Sequence, residues 1–164
     1  MSEGVKSPGK ADQARFTREF EQLAIERLRQ HGFRITMPRI QVIRALADAN
    51  EAMTAQGIHA KITQETGRLD VVSVYRILAA LLEAGLVHHI GVVDGYLACR
   101  MGAKHGTAAE HAVCSSCKQI TELAVPGRAI KAIEEQLSGL GMDATAIKVE
   151  ITGLCEACSR RAHA

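Results

Sequence analysis

Residues 73–100, SVYRILAALLEAGLVHHIGVVDGYLACR, change from a helical pattern to a strand pattern without a linker. In the first half, apolar residues recur at the spacing of a buried helix face, and Gly85 is placed to end the helix. In the second half, two short apolar runs flank Asp94-Gly95, a dipeptide typical of hairpin turns. A helix followed directly by a hairpin is the closing part of a winged helix-turn-helix, in which that helix enters the DNA major groove.

The segment before this stretch predicts three more helices. Residues 12–32 space aromatic and aliphatic side chains at helical intervals, and residues 35–50 and 54–67 repeat the pattern in two shorter segments. The predicted N-caps of the later helices are Thr36, Thr54 and Ser73, the last of them opening the helix of the quoted stretch. On pattern alone, a helical bundle that carries a hairpin is the alternative to a winged helix-turn-helix.

The second half of the chain has a different organisation. Residues 101–110 are small and polar and predict a connector. Beyond it we expect two strands around a cysteine knuckle, an amphipathic helix and a last, half-buried strand; the apolar positions of the helix and the strand are Ile130, Ile133, Leu137, Ile147, Val149 and Ile151. We therefore predict an α+β protein with a flexible leader (1–11), a winged-helix domain (12–92, its wing strand extending to about 100) and a small α/β domain (101–164).

Four of the five cysteines form two Cys-x-x-C pairs, Cys114 with Cys117 and Cys155 with Cys158. The sequence shows neither a secretion signal nor an apolar run long enough to span a membrane, so we expect a soluble, cytoplasmic protein. In that reducing compartment, paired cysteines are metal ligands more often than disulfides. Four thiolates suit a closed, structural Zn²⁺ site. Free thiols and a redox-active pair are the alternatives, although a redox pair leaves the other pair unexplained.

A second group of potential ligands lies between the hairpin and the first cysteine pair. Its members are His88, His89, Cys99, His105, His111 and Glu122. Taken singly, a histidine is usually a surface residue and a lone cysteine is usually a small buried hydrophobe. Their clustering in sequence, in a chain with few other histidines or cysteines, favours a second metal site.

Several segments together resemble the ferric uptake regulator family of bacterial metal-responsive repressors. They are RITMPR (34–39), SVYRILAALLEAGLV (73–87), HAVCSSCKQITEL (111–123) and GLCEAC (153–158). The resemblance implies an N-terminal winged-helix DNA-binding domain and a C-terminal α/β dimerisation domain with a four-cysteine structural zinc. It also implies that the chain acts as a homodimer on double-stranded, palindromic operator DNA.

Within that family, the ligand pattern is most similar to the zinc uptake regulator branch. The resemblance implies a regulatory zinc bound by His88, Cys99, His111 and Glu122, with His105 as the alternative to His111. One thiolate among the ligands favours a borderline-soft ion over the harder ions of iron-type sites. We therefore expect two zinc ions per chain, one structural and one regulatory. Iron-type relatives carry a Glu where Cys99 stands, and a further histidine of their last strand is Ile147 here, so a third metal site is doubtful.

The predicted DNA-binding residues fall into two classes. Arg76 and Tyr75 lie early in the helix of the quoted stretch, where an Arg fork matches guanine and a Tyr ring packs on a thymine methyl group; Ser73 belongs to the same motif. Arg34, Arg39 and Lys61 are predicted phosphate contacts, which position a protein without specifying sequence. The formal net charge of +2 does not by itself indicate nucleic acid.

These expectations combine into one hypothesis. The chain is a zinc-responsive repressor of zinc uptake genes, in which ligands from both domains bind one ion and fix the operator-binding geometry of a dimer. An iron- or peroxide-responsive regulator of the same fold is the alternative. A zinc hydrolase or deaminase is a distant third, because the chain lacks His-x-x-x-His on a helix and has Val113, not Pro, before its first cysteine pair. We expect no enzyme activity, no substrate besides the metal ion and no membrane association.

Overall fold

The computed structural model describes residues 10–49, 51–100, 108–123 and 125–162. The chain divides into two compact units, Met1–Arg100 and Met101–Ala164. Most of the predicted leader and of the connector lies outside the described residues. Where the chain is described, no helix has both the length and the apolar character needed to cross a membrane.

The first unit contains four helices followed by a hairpin. Its elements are α1 (Lys10–Gln30), α2 (Met37–Ala47), α3 (Ala55–Thr66), α4 (Val71–Glu83), β1 (Val87–Ile90) and β2 (Gly95–Ala98). The apolar stripes predicted from sequence meet in one core, which includes Phe20 and Leu28 of α1, Ile43 of α2, Ile58 of α3 and Leu78 of α4. Each such side chain contributes about 1.5–3 kcal/mol by leaving water. The arrangement of helices and hairpin is the predicted winged helix-turn-helix.

The helix starts agree with the sequence at two of the three predicted N-cap positions, Thr36 and Thr54. The Thr54 side chain accepts a hydrogen bond from the Gly57 N–H, as an N-cap should. Thr36 occupies the N-cap position of α2, but its side chain makes no capping bond. The prediction for Ser73 was wrong: α4 begins earlier, and the N-cap is Asp70, whose carboxylate accepts bonds from both the backbone N–H and the hydroxyl of Ser73.

The hairpin forms where the sequence placed it. Its strands are antiparallel, and four residues, Gly91–Val93 in a 3₁₀ turn and Asp94 in a left-handed conformation, connect them. Tyr96 also forms two backbone hydrogen bonds with Met53, which tie the wing to the segment between α2 and α3. A side chain at Gly95 would bring a Cβ to 2.9 Å from the Ala52 Cβ, so this approach requires glycine.

The second unit is a small sheet with two helices. Its elements are β3 (Ala108–Cys114), β4 (Ile120–Glu122), α5 (Gly127–Gly139), β5 (Ile147–Gly153) and α6 (Glu156–Ala162). The strand order is β4-β3-β5, with β4 antiparallel and β5 parallel to β3. All three strands and α5 were predicted from the sequence, whereas α6 was not. No described side chain of α5 is fully buried within the chain, although its apolar face is well formed.

Candidate metal centre

The four paired cysteines come together in the second unit. Cys114 ends β3, Cys117 lies in the knuckle after it, Cys155 follows β5 and Cys158 lies in α6. Their sulfur atoms all lie within 4.8 Å of one another, and the Sγ atoms of Cys117 and Cys155 are 3.7 Å apart. Four sulfurs bound to a tetrahedral zinc ion at about 2.3 Å lie about 3.8 Å from each other. The arrangement therefore fits a four-thiolate zinc site.

Backbone hydrogen bonds hold the first knuckle in shape. The Cys114 N–H donates to the Gln119 carbonyl at 2.9 Å, and the Lys118 N–H donates back to the Cys114 carbonyl at 2.9 Å. Lys118 adopts a left-handed conformation with φ 61°, which closes the turn. The Ser115 N–H donates to the Gly153 carbonyl at 2.7 Å, so the knuckle is joined to the end of β5 where the second pair begins.

The electrostatics of the cluster favour a bound cation. Backbone N–H groups of Cys155 and Cys117 lower the pKa of the Cys114 thiol to about 6. The pKa of Cys117 is raised to about 11, because the Gln119 N–H that favours its thiolate is outweighed by Cys114, by burial and by the other thiols. Four thiols this close cannot all ionise without a positive charge among them, which is what a zinc ion supplies.

The surroundings of Cys158 also stabilise its thiolate. Its pKa is lowered by the Ser116 side chain first and also by Arg161, whose guanidinium lies 3.0 Å from the sulfur. In return the thiolate raises the pKa of Arg161. A zinc ion held by four thiolates would carry a net negative charge, and Arg161 would offset part of it.

Two predicted regulatory ligands lie side by side in the second unit. His111 of β3 is the register partner of Glu122 of β4, so their side chains project from the same face of the sheet. A ring nitrogen of His111 and a carboxylate oxygen of Glu122 lie within 4.8 Å of each other. His111 is buried, with 1% of its surface exposed. Imidazole nitrogens and carboxylate oxygens are both among the ligands that Zn²⁺ takes in proteins.

The other two predicted ligands lie on the wing. β2 ends at Ala98, so Cys99 is one residue beyond the strand on which the sequence placed it. Its N–H nevertheless donates to the Leu86 carbonyl at 2.9 Å and continues the ladder. His88 is the partner of Leu97, and Cys99 lies two residues further on, so His88 and Cys99 are diagonal neighbours on one face of the hairpin. The Cys99 thiol is buried. His105, the alternative to His111, lies outside the described residues.

One carboxylate near His111 was not predicted as part of a site. The parallel register of β3 and β5 makes Glu150 the partner of His111 on the side opposite Glu122. The alternation of β5 had placed Glu150 on the solvent face, and strand alternation cannot reveal which residue of another strand lies beside it. The sheet thus carries three polar side chains in a row: Glu122, His111 and Glu150.

The predicted base-contacting residues lie on the exposed face of α4. Tyr75 is 44% exposed and Arg76 is exposed, while the core-facing residues Val74, Ile77 and Leu78 are buried. Ser73 is half-buried and bonded to Asp70. Asp70 was missed, although Asp is among the residues preferred at an N-cap.

Two of the three predicted phosphate contacts, Arg39 and Lys61, have side-chain partners within the first unit. The Arg39 guanidinium lies 5.2 Å above the Phe33 ring centre and donates to the Arg34 carbonyl. The Lys61 ammonium donates to the Ala45 carbonyl at 3.3 Å. Arg34 is exposed. The Arg39 side chain is thus held by the segment before α2, and the Lys61 side chain is held against α2.

A family model described as the ferric uptake regulator family matches residues 30–152 of the chain. Among individual relatives, the peroxide operon regulator of Bacillus subtilis (strain 168) is 26% identical over 139 residues, which cover 84% of this chain and 92% of the relative. The match therefore includes both units.

Solved structures of zinc regulators are also similar. A zinc uptake regulator complexed with zinc and DNA is 23% identical, with a TM-score of 0.80, and the match covers 90% of this chain and 98% of that chain. The crystal structure of holo XcZur is 27% identical, with a TM-score of 0.74 and coverage of 89% and 98%. The first of these likenesses concerns the fold alone, because its sequence identity is low.

Proposed function

The chain belongs to the ferric uptake regulator family, and from that premise we propose that it is a zinc-responsive transcriptional repressor. Members of this family are transcriptional regulators and not enzymes, so the chain is a metal-responsive regulator. The finer assignment concerns the metal that it senses, the residues that sense it and the effect on DNA binding.

The observation that carries the choice of zinc is the buried thiol of Cys99 on the same hairpin face as His88. A thiolate and imidazoles suit Zn²⁺, whereas Fe²⁺ and Mn²⁺ sites use harder oxygen and nitrogen donors. One thiolate and one carboxylate also neutralise the charge of the ion, so no net charge is buried with it. The likeness to holo XcZur supports the same choice.

We assign two zinc ions to each chain. Cys114, Cys117, Cys155 and Cys158 hold a structural ion, for which the sulfur distances are suitable. His88 and Cys99 of the first unit and His111 and Glu122 of the second are the proposed ligands of a regulatory ion. Each unit supplies two ligands on one face, so neither unit alone closes a four-ligand shell.

Because the proposed ligands come from both units, bound zinc limits the freedom of the two units to move relative to each other. In a homodimer, restricting that freedom sets the separation of two α4 helices, which must match half-sites one DNA turn apart, about 34–36 Å. Binding equilibria are reciprocal, so operator DNA tightens zinc binding by the factor by which zinc tightens operator binding.

The proposed DNA contacts are those on the exposed face of the first unit. Arg76 and Tyr75 contact bases, with Ser73 at the start of the same helix, and Arg34, Arg39 and Lys61 contact phosphates. The exposure of Tyr75 and Arg76 on a helix whose other face is buried supports this assignment.

The second unit is the proposed dimerisation surface. Large apolar side chains that are exposed in the single chain lie there: Ile133, Leu140, Met142, Ile151 and Leu154. A second copy of the chain, in the cytoplasm where such regulators meet their operators, would remove them from water.

The deciding experiment measures metal content and DNA binding together. We expect the zinc-loaded parent to contain two zinc ions per chain and Cys99→Ser to contain one. The DNA probe is a duplex that the zinc-loaded parent selects from a randomised pool. Cys99→Ser should lose zinc-dependent binding to it, and His88→Ala should behave in the same way.

The matched control is His89→Ala, which changes the neighbouring histidine on the opposite face of the hairpin. It should keep both ions and zinc-dependent binding. The assignment is wrong if Cys99→Ser retains two ions and responds to zinc like the parent.

A peroxide- or iron-responsive regulator is the second candidate, because the similarity to the peroxide operon regulator of Bacillus subtilis favours it. Under that alternative, Fe²⁺ or Mn²⁺ would promote operator binding at lower concentrations than Zn²⁺. Cys99→Ser would then change the response little, since such sites are built mainly from oxygen and nitrogen donors. The same titrations therefore separate the two candidates.

A further inference from the structure

A side chain on α3 contacts the tyrosine of α4. The Gln56 amide nitrogen lies 3.0 Å from the Tyr75 hydroxyl oxygen and donates a hydrogen bond to it. Both residues belong to the first unit. Gln56 is the second residue of α3, next to the buried Ala55 and just after the Thr54 cap, so its backbone is fixed by the start of the helix.

This contact determines what the tyrosine hydroxyl can do. A tyrosine hydroxyl both donates and accepts, whereas an amide nitrogen only donates. Since Tyr75 accepts from Gln56, the hydroxyl proton remains available to an acceptor outside the protein. DNA presents such acceptors as phosphate oxygens and as base O6, O4 and N7 atoms.

The contact also restrains an exposed ring. Tyr75 is 44% exposed, and its neighbours Val72 and Arg76 on α4 are exposed as well. Without a partner, such a side chain loses rotational freedom when it binds DNA, and this loss weakens binding. A hydrogen bond from a neighbouring helix orders the ring beforehand.

We propose that Gln56 is a positioning residue for Tyr75, which it orients so that the tyrosine hydroxyl donates to an acceptor on operator DNA. This inference rests on the proposed function, because it requires α4 to contact DNA. It assigns a role in sequence recognition to a residue of α3.

The test is a double-mutant cycle on the duplex selected by the zinc-loaded parent. Gln56→Ala should weaken binding by about 3- to 10-fold, the usual range for one lost hydrogen bond. In a Tyr75→Phe background, which lacks the hydroxyl, Gln56→Ala should change binding by less than about twofold. Gln56→Glu should weaken binding more than Gln56→Ala, because a carboxylate accepts the hydroxyl proton and adds negative charge near phosphates.

Gln64→Ala is the matched control, since Gln64 is an exposed glutamine on the same helix. It should leave binding unchanged. A second readout needs no DNA: the chain has two tyrosines, so 3-fluorotyrosine labelling gives two ¹⁹F signals, which Tyr75→Phe assigns. Gln56→Ala should shift the Tyr75 signal and leave the Tyr96 signal in place.

Each failure has a separate meaning. An unshifted Tyr75 signal in Gln56→Ala overturns the inference, because the contact then does not form in solution. A shifted signal with losses that multiply in the double mutant also overturns it, because the contact then has no part in DNA binding. If the zinc-loaded parent selects no duplex at all, the proposed function fails and this inference fails with it.

Discussion

In the first unit, side chains from four helices and the hairpin fill a continuous apolar core, whereas in the second unit only His111, Val113, Cys114 and Cys158 are fully buried among the residues that the structure describes. Two of those four are cysteines of the metal centre and a third is a proposed zinc ligand. The first unit therefore has the interior of an ordinary small domain. The second has the secondary structure of a domain but little interior.

The difference indicates what each unit depends on. A segment of about 60 residues buries too little apolar surface for secure stability unless a metal or a partner contributes. The second unit has a candidate for each: the four-cysteine cluster, which brings together residues of β3, α6 and the end of β5, and exposed apolar side chains suited to a second copy. The continuous core of the first unit indicates that this unit depends on neither for its stability.

Removal of the structural metal should give the largest effect. A structural zinc site supplies about 10–16 kcal/mol of apparent binding free energy, which is also folding free energy. We expect Cys117→Ser, or dialysis against a strong chelator, to abolish amide protection in β3, β5 and α6 while the helices of the first unit stay protected. Hydrogen exchange followed by mass spectrometry measures both units in one sample.

His89→Ala is the control for that measurement, because His89 belongs to neither proposed metal site. It should leave protection of the second unit close to that of the parent. Persistent protection of β3 and β5 after complete metal removal would show that the sheet is stable without the ion.

A cavity in the core of the first unit tests whether that unit depends on its apolar core and not on the metal. Leu78 is fully buried in α4, and Leu78→Ala should lower the free energy of unfolding of the first unit by about 2–5 kcal/mol. The structural zinc should stay bound, since the four-cysteine centre lies wholly in the second unit. Leu82→Ala, at a position that is 36% exposed, should have a much smaller effect in the same urea titration. Loss of the structural zinc from Leu78→Ala would contradict the independence of the two units.

The next largest effect should come from placing a charged side chain on the proposed dimer surface. Ile133 of α5 is 41% exposed in the single chain. Burial of such a side chain against a second copy is worth about 1.5–3 kcal/mol, so Ile133→Glu should weaken dimerisation at least by that amount. Sedimentation equilibrium measures the change. Glu134→Ala alters the next residue of the same helix and should leave the dimer intact; equal affinities for both variants would place the interface elsewhere.

The smallest effect should come from the cap of α4. Hydrogen bonds from the Ser73 hydroxyl and from the Ser73 N–H hold the pKa of Asp70 below its usual value. A lowered pKa in the folded state means that the ionised cap stabilises the protein above the unfolded pKa, and that this stability is lost as the pH falls through the folded pKa. Thermal unfolding should therefore show that Asp70→Ala destabilises the first unit at neutral pH and much less in acid.

Asp70→Asn separates the cap from its charge. Asparagine accepts the same backbone hydrogen bond, so this variant should stay closer to the parent than Asp70→Ala does, and its stability relative to Asp70→Ala should not vary with pH. Identical unfolding temperatures for the two variants at every pH would show that the capping bond contributes nothing.

Much of the fold could be predicted because it follows from residue patterns that are local in the sequence. The helices around Ile43, Ile58 and Leu78 follow from apolar spacing, and the hairpin follows from the alternation around Asp94-Gly95. The start of α4 was misplaced because Ser73 and Asp70 are both good capping residues, and only the backbone conformation distinguishes them. The helix α6 was missed because seven residues show too little periodicity to identify a helix.

The amino-acid sequence by itself predicted the two-part organisation, the two cysteine pairs of one cluster and the helix that we propose as the recognition helix. Each of these depends on residue type and on spacing along the chain. Tertiary structure alone decided that the sulfurs of the two cysteine pairs lie at zinc-binding separations, that Glu122 and Glu150 lie on either side of His111, and that Gln56 reaches Tyr75. These are contacts between residues far apart in sequence, and strand register and helix packing, which no local pattern specifies, set them.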